Sequence, residues 1–191
     1  AISIYIDPVN DPPVAEDDLA EVNEDGSVSG NVMDNDSDLD ANFNDPTDFS
    51  DLSVSLVDST SDGTLNLIAD GSWDYTPNAD WYGTDSLIYE LVDAVGGNDQ
   101  AMVTITVEPV NDAPVAAGVF ETTDEDSPLV FELMGSDIDG DTLTFAIIDS
   151  TTHGSLSGAP PLMTYTPEED YFGVDSLLFR VSDGTLFDMA V

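Results

Sequence analysis

Short runs of alternating apolar and polar residues recur along the whole chain. Leu52–Val57, Thr64–Ile68, Leu87–Val92 and Ala101–Val107 each show the two-residue period of a strand with one buried face. In the last run Val103, Ile105 and Val107 share one face, and Thr104 and Thr106 the other. Asp-Gly, Asn-Asp and Gly-Gly turn signals separate the runs. No stretch shows the 3.6-residue period of a helix. About seven strands per ~100 residues predicts an all-β protein built of two-sheet Greek-key sandwiches.

The pattern is also repeated. Val9-Asn-Asp-Pro-Pro-Val-Ala15 returns as Val110-Asn-Asp-Ala-Pro-Val-Ala116. At the same spacing Val22-Asn-Glu-Asp25 returns as Thr123-Asp-Glu-Asp126, Met33 as Met134, and Asp36, Asp38 and Asp40 as Asp137, Asp139 and Asp141. Repeat 1 then carries about ten extra residues, Ala41 to Ser50, before the match resumes. Tyr75-Thr-Pro-Asn-Ala-Asp80-Trp-Tyr-Gly-Thr-Asp85-Ser matches Tyr165-Thr-Pro-Glu-Glu-Asp170-Tyr-Phe-Gly-Val-Asp175-Ser. Asp93 and Asp183 close these blocks.

Two tandem domains are therefore expected. Residues 1–8 read as the final strand of a preceding repeat, 9–109 as repeat 1, and 110–191 as repeat 2 without its last strand. The chain reads as a stretch of a longer array. The lack of a signal peptide at its start then says little about localisation. An edge vacancy accepts a donated strand, so residues 1–6 of one molecule are expected to complete repeat 2 of another.

Composition narrows the function. Of 191 residues, 41 are Asp or Glu and one is basic, for a net charge of −40. A nucleic-acid binder is excluded, since that affinity rests on Lys and Arg. Docking on an anionic membrane is disfavoured, and no apolar run could span a bilayer. Cysteine is absent. With one histidine, His153, zinc and copper sites have no donors. His153 reads as a solvated turn residue. No nucleophilic triad can be built twice, so an enzyme is not expected. Arg180, aligned with Glu90, reads as an outward side chain neutralised by nearby acids.

This much carboxylate has two physical uses: binding cations, or solubility in a salty medium. Calcium takes six to eight oxygen ligands, and converging acidic loops supply them. For Asp40, Asp141, Asp85 and Asp175, turns in which the side chain bonds nearby N–H groups compete with ligation. Asp45, Asp48, Asp51, Asp70 and Asp74 read as ordinary turn and surface residues. Asp137-Ile-Asp-Gly-Asp141 opens like an EF-hand loop, but Thr142 and Ile148 stand where that loop needs Gly and Glu. Gly96-Gly-Asn-Asp99 reads as a hairpin turn.

Taken in order, these motifs resemble bacterial cadherin-like repeats of the VCBS and RTX-adhesin type. The resemblance rests on Val-Asn-Asp-x-Pro at 9–13 and 110–114, Asn23-Glu-Asp-Gly26, Asp137-Ile-Asp-Gly-Asp141 and the Tyr-Thr-Pro block. It implies calcium between consecutive domains of an extracellular adhesin, on the bacterial surface or secreted, that serves cell adhesion or biofilm formation. On that pattern the junction of the repeats uses Glu24 or Asp25, Asp80, Asn111, Asp112, Asp137, Asp139 and Asp183. An upstream junction uses Asn10, Asp11, Asp36, Asp38 and Asp93, and a downstream one Glu125, Asp126 and Asp170. The partners implied are neighbouring repeats, with self-association between molecules. The rival reading is a carbohydrate-binding module of a polysaccharide-degrading enzyme, which needs Trp73 or Trp81 exposed. Trp81 and Tyr82 are instead expected to pack inward.

Overall fold

The computed structural model describes residues 2–4, 9–39 and 51–191. The chain divides into two compact units, Ala1–Val110 and Asn111–Val191. Most of the N-terminal strand reading (residues 1 and 5–8), Asp40, the extra segment 41–50 and the turn assignments of Asp45 and Asp48 lie outside the described residues. Ile2–Ile4 are not in a strand.

Unit 1 comprises β1 (Asp18–Asn23), β2 (Val28–Asn31), β3 (Ser53–Asp58), β4 (Gly63–Leu67), β5 (Ser72–Pro77), β6 (Gly83–Val92) and β7 (Asn98–Glu108). One sheet has the order β1-β7-β6-β3 and the other β2-β5-β4. A single 3-10 turn, Val32–Asp34, is the only helical element among the described residues. The long hairpin β6–β7 sets the register, from Gly83↔Val107 to Val92↔Asn98. Its alternation is the one read from the sequence. Val103, Ile105 and Val107 are buried, and so are Leu87, Tyr89 and Leu91 on β6, with Leu87 directly opposite Val103. Trp73 and Tyr75 from β5 close the core from the second sheet. Strand β1 pairs with β7 in parallel, Asp18↔Val103 through Asn23↔Glu108.

Unit 2 comprises β8 (Val115–Ala117), β9 (Leu129–Glu132), β10 (Met134–Ser136), β11 (Thr144–Asp149), β12 (Gly154–Ala159), β13 (Leu162–Pro167), β14 (Leu178–Ser182) and β15 (Phe187–Ala190). Its sheets are β11-β14-β15, β12-β13-β9 and the pair β10-β8. Leu133, Met163, Phe179 and Val181 form the buried core. The segments that match β1 and the first half of β6, residues 119–124 and 173–177, are not in strands. In unit 1 both matching strands pair with β7, β1 in parallel and β6 antiparallel.

Candidate functional site

The Asn-Asp motif makes the same clasp in both units. Asn10 Nδ2 donates to Asp93 Oδ2 at 2.8 Å, and Asn111 Nδ2 donates to Asp183 Oδ2 at 2.8 Å. The other oxygen of each Asp caps the next turn. Asp93 Oδ1 accepts from the backbone N–H of Val95, Gly96 and Gly97. Asp183 Oδ1 accepts from Thr185 and Leu186. The Asn111 amide, opposed by burial and helped by these N–H groups, holds the Asp183 carboxyl down at about 2. The Asn10 bond likewise lowers Asp93.

In unit 2 the Asp-x-Asp-Gly-Asp loop closes on this clasp. The backbone N–H of Asp112 donates to Asp139 Oδ2 at 2.8 Å. Within the loop, Asp137 Oδ1 accepts from the N–H of Asp139 at 2.9 Å and of Asp141 at 3.3 Å. Gly140, at φ 77°, makes the bend that turns these groups inward. Carboxylate oxygens of Asp137, Asp139 and Asp141 lie within 4.8 Å of one another. Asp137 Oδ2 is buried and has no hydrogen-bond partner. An oxygen-only set with an orphaned carboxylate oxygen fits a hard cation such as Ca2+.

The matching loop in unit 1 is satisfied differently. Asp36 Oδ1 accepts from Glu16 N–H at 2.8 Å, and the Tyr89 hydroxyl reaches Oδ1 and Oδ2 at 3.0 and 3.1 Å. Burial raises the Asp36 carboxyl, against the pull of these bonds. Phe179 stands where unit 1 has Tyr89, so Asp137 receives no hydroxyl. Of the other upstream candidates, Asp38 is buried and Asp11 exposed.

The remaining candidates sit at the opposite end of each sandwich. Glu24 N–H donates to Glu108 O at 3.0 Å, and Val110 N–H donates to Glu24 Oε1 at 2.6 Å. Asp25 and Asp80 are exposed there, Asp80 at a positive φ of 56°. In unit 2, Asp170 N–H donates to Asp126 Oδ1 at 3.0 Å, and both residues have positive φ. Glu125 is exposed beside them.

One repeated pair had more structure than the sequence suggested. Asp85 accepts from Ser61, Asp62 and Ser86 N–H and from the Tyr75 hydroxyl. Asp175 accepts from Thr152, His153 and Ser176 N–H and from Tyr165. These are turn-pinning carboxylates, and burial opposes their ionisation less than the N–H and hydroxyl bonds favour it. The Tyr-to-Asp spacing of ten residues, present twice, is the signal that could have found the pair.

Other positions differ from expectation. Trp73 is buried and Trp81 packs on the core, but Tyr82 points to solvent. Adjacent residues on a strand entry face opposite ways, so only one of the two can pack. Arg180 lies over the Phe187 ring at 5.5 Å, and no carboxylate pairs with it among the described residues. His153 is exposed as expected, stacked on Tyr171 with ring centroids 4.3 Å apart.

Comparison with known proteins gives the same picture. The bacterial cadherin-like domain family matches residues 10–109, and the bacterial Ig domain family matches 111–188. Integrin beta-like protein A of Dictyostelium discoideum is 35% identical over 89 residues, which is 45% of this chain and 4% of that protein. Among solved structures, the protocadherin GammaB4 extracellular domain aligns with 97% of this chain and 32% of its own, at TM-score 0.58 and 17% identity. Protocadherin Gamma B2 domains 1–5 align with 95% and 38%, at TM-score 0.57 and 16% identity. The chain thus spans well under half of these relatives, and the structural likeness is one of fold. By its sequence match over residues 10–109, its repeated Asn-Asp clasps and its sandwich fold, the chain belongs to the bacterial cadherin-like domain family.

Proposed function

We propose that the chain is part of a calcium-dependent extender of a bacterial extracellular adhesin, acting in cell adhesion or biofilm formation. The observation that supports this reading best is the loop Asp137–Asp141, three carboxylates converging around an unpartnered Asp137 oxygen. Asp137, Asp139 and Asp141 would hold the ion. Asn111 and Asp112 would be drawn against it through the clasp on Asp183 and the bond to Asp139. Bound calcium supplies charge neutralisation for carboxylates that otherwise repel one another.

The residues of this chain then do the mechanical work. Glu24 fastens Val110 to unit 1, and Asp139 and Asp183 fasten Asp112 and Asn111 to unit 2. The linker therefore has little slack on either side of its Val110–Asn111 bond. Pro109 and Pro114 restrict it further. Among the described residues no helix is long and apolar enough to cross a membrane. Cadherin-like domains are typically extracellular and non-catalytic, in keeping with a structural role outside the cell.

Extracellular calcium sites have Kd of about 10⁻⁴–10⁻³ M. At about 100 times Kd, one site adds roughly 2.7 kcal/mol to stability. Calorimetry with calcium and with chelator, on the natural chain and on Asp137→Asn, is the test. The expected result is a calcium-dependent rise in the unit 2 transition that the variant loses. Small-angle scattering should stiffen in step. Equal melting with calcium and chelator would leave the acids as a salt-adapted surface and refute the proposal.

A further inference from the structure

Five Asp-Gly steps occur along the chain, at 25–26, 62–63, 70–71, 139–140 and 183–184. At such a step the glycine nitrogen can attack Cγ of the aspartate and close a five-membered succinimide ring. Glycine allows the closure because no Cβ obstructs the approach and its backbone is permissive.

The fold restrains four of the five. Gly26 N–H donates to Asn23 O at 2.8 Å, and Gly71 N–H to Ile68 O at 3.0 Å. Gly63 opens β4 opposite Pro77, with the Tyr75 ring closed over it. Gly184 N–H donates to Ser182 Oγ at 3.1 Å, and Asn111, Thr185 and Leu186 hold the Asp183 carboxylate. The step at 139–140 is different. Asp137 Oδ1 takes the N–H groups of Asp139 and Asp141 and passes over that of Gly140 between them, which donates to no protein group among the described residues. Asp139 and Gly140 are both exposed, and a Cβ at Gly140 would meet no atom within 4 Å, so the ring has room to close. The Asp139 carboxyl is restrained by a bond from Asp112 N–H, in a solvent-exposed loop of the kind that opens at low cost. The matching loop of unit 1 lacks the chemistry: Leu39 stands where unit 2 has Gly140, and Asp38 is buried.

We propose that Asp139–Gly140 is a site of spontaneous covalent modification, isomerising to isoaspartate ahead of the other four steps. The Gly140 nitrogen gives its proton to water and bonds to Asp139 Cγ, and a carboxyl oxygen leaves as water. One water then adds at the Asp139 carbonyl carbon and breaks its bond to the Gly140 nitrogen. Water is lost and regained, so the balance is an isomerisation and needs no other reactant. The main chain now runs through Cγ, one carbon longer, and the free carboxylate sits on Cα. The bond from Asp112 and the convergence with Asp137 and Asp141 depend on the native chain length, and the modified loop loses them. The site is thus a clock that erodes the loop. It runs without calcium; on the calcium reading, an ion held by the Asp139 carboxylate stops it.

The intact chain, incubated near neutral pH with chelator, is compared folded in buffer and unfolded in denaturant. Electron-transfer fragmentation of proteolytic peptides cleaves the extra Cα–Cβ bond and so places each isoaspartate. Unfolded, all five steps should react at comparable rates. Folded, Asp139 should keep most of its unfolded rate, and Asp25, Asp62, Asp70 and Asp183 should each lose most of theirs. Gly140→Ala should slow the reaction at 139 several-fold in both states. Asp139→Glu, whose ring would need a sixth atom, should silence it. Protection of folded Asp139 equal to that of the other four steps would overturn the proposal. Calcium is a separate arm: slowing at 139 alone supports the ion site, and no slowing counts against that site and leaves the isomerisation standing.

Discussion

Replacing Asp85 by Ala tests how far one buried carboxylate holds unit 1 together. Asp85 is 5% exposed and receives four donors: Ser61 N–H at 3.0 Å, Asp62 N–H at 2.9 Å, Ser86 N–H at 2.8 Å and Tyr75 Oη at 3.0 Å. Truncation leaves all four without this acceptor. A hydrogen bond to a charged group contributes about 1.5–3 kcal/mol. Ser61 lies at the surface and water can reach it, and the four losses are not additive. A total of about 3 kcal/mol is expected. With a urea slope of ~2 kcal/mol/M, the midpoint of unit 1 should fall by about 1.5 M. Both tryptophans, Trp73 and Trp81, are in unit 1, so indole fluorescence follows that unit alone. Asp175→Ala removes the same bonds from unit 2 and should leave the indole transition in place. A shift below about 0.5 kcal/mol, the range of ordinary surface substitutions, would refute the pinning argument.

Four further outcomes follow from particular contacts. Phe179→Tyr would offer Asp137 the hydroxyl that Asp36 already receives from Tyr89. It should weaken calcium binding about tenfold by titration calorimetry, the equivalent of about 1.4 kcal/mol. Asp18 is pushed up to about 6, by burial first and then by Asp36, Asp34 and Asp17. The folded state binds its proton more tightly than the unfolded one, so stability falls as pH rises from the ordinary 3.8 through 6. Asp18→Asn should add about 1 kcal/mol at pH 7, discounted for partial exposure, and nothing below pH ~4 in indole-monitored unfolding. Asp183 has the opposite sign: its contribution is complete above 3.8 and is lost as pH falls toward about 2, and Asn111→Ala should raise its titration midpoint in carboxyl NMR. Gly63→Ala would drive a methyl group into the Tyr75 ring and to 2.6 Å from Thr76 O, which should cost unit 1 about 2 kcal/mol.

The strands were legible because burial on one face imposes a two-residue period. The run read at 101–107 lies within β7, and the run at 87–92 is the second half of β6. What the period does not carry is strand extent: β6 begins at Gly83, ahead of the run read at 87–92, because β7 pairs with it out to Val107. The Asn-Asp clasps were legible as a repeated motif. The roles of the acids were less so, because an aspartate that caps a turn and one that ligates an ion look alike in one dimension. Asp36 and Asp137 occupy matching places, yet Tyr89 or Phe179, far along the chain, decides whether a carboxylate oxygen is left over. Asp85 and Asp175 were flagged by repetition, with Tyr75 and Tyr165 at a repeated spacing, but the N–H donors at 61–62 and 152–153 needed three dimensions.

The parallel pairing of β1 with β7 has a consequence for tension. Traction that enters unit 1 from the Asn10 side and leaves through Val110 pulls these two strands in opposite senses along their length. Six residue pairs, Asp18↔Val103 through Asn23↔Glu108, are then loaded together rather than one after another. Shear of this kind must rupture the whole ladder in one event, whereas peeling would open it rung by rung. A domain that closes with parallel terminal strands is thus wired to yield late under pulling.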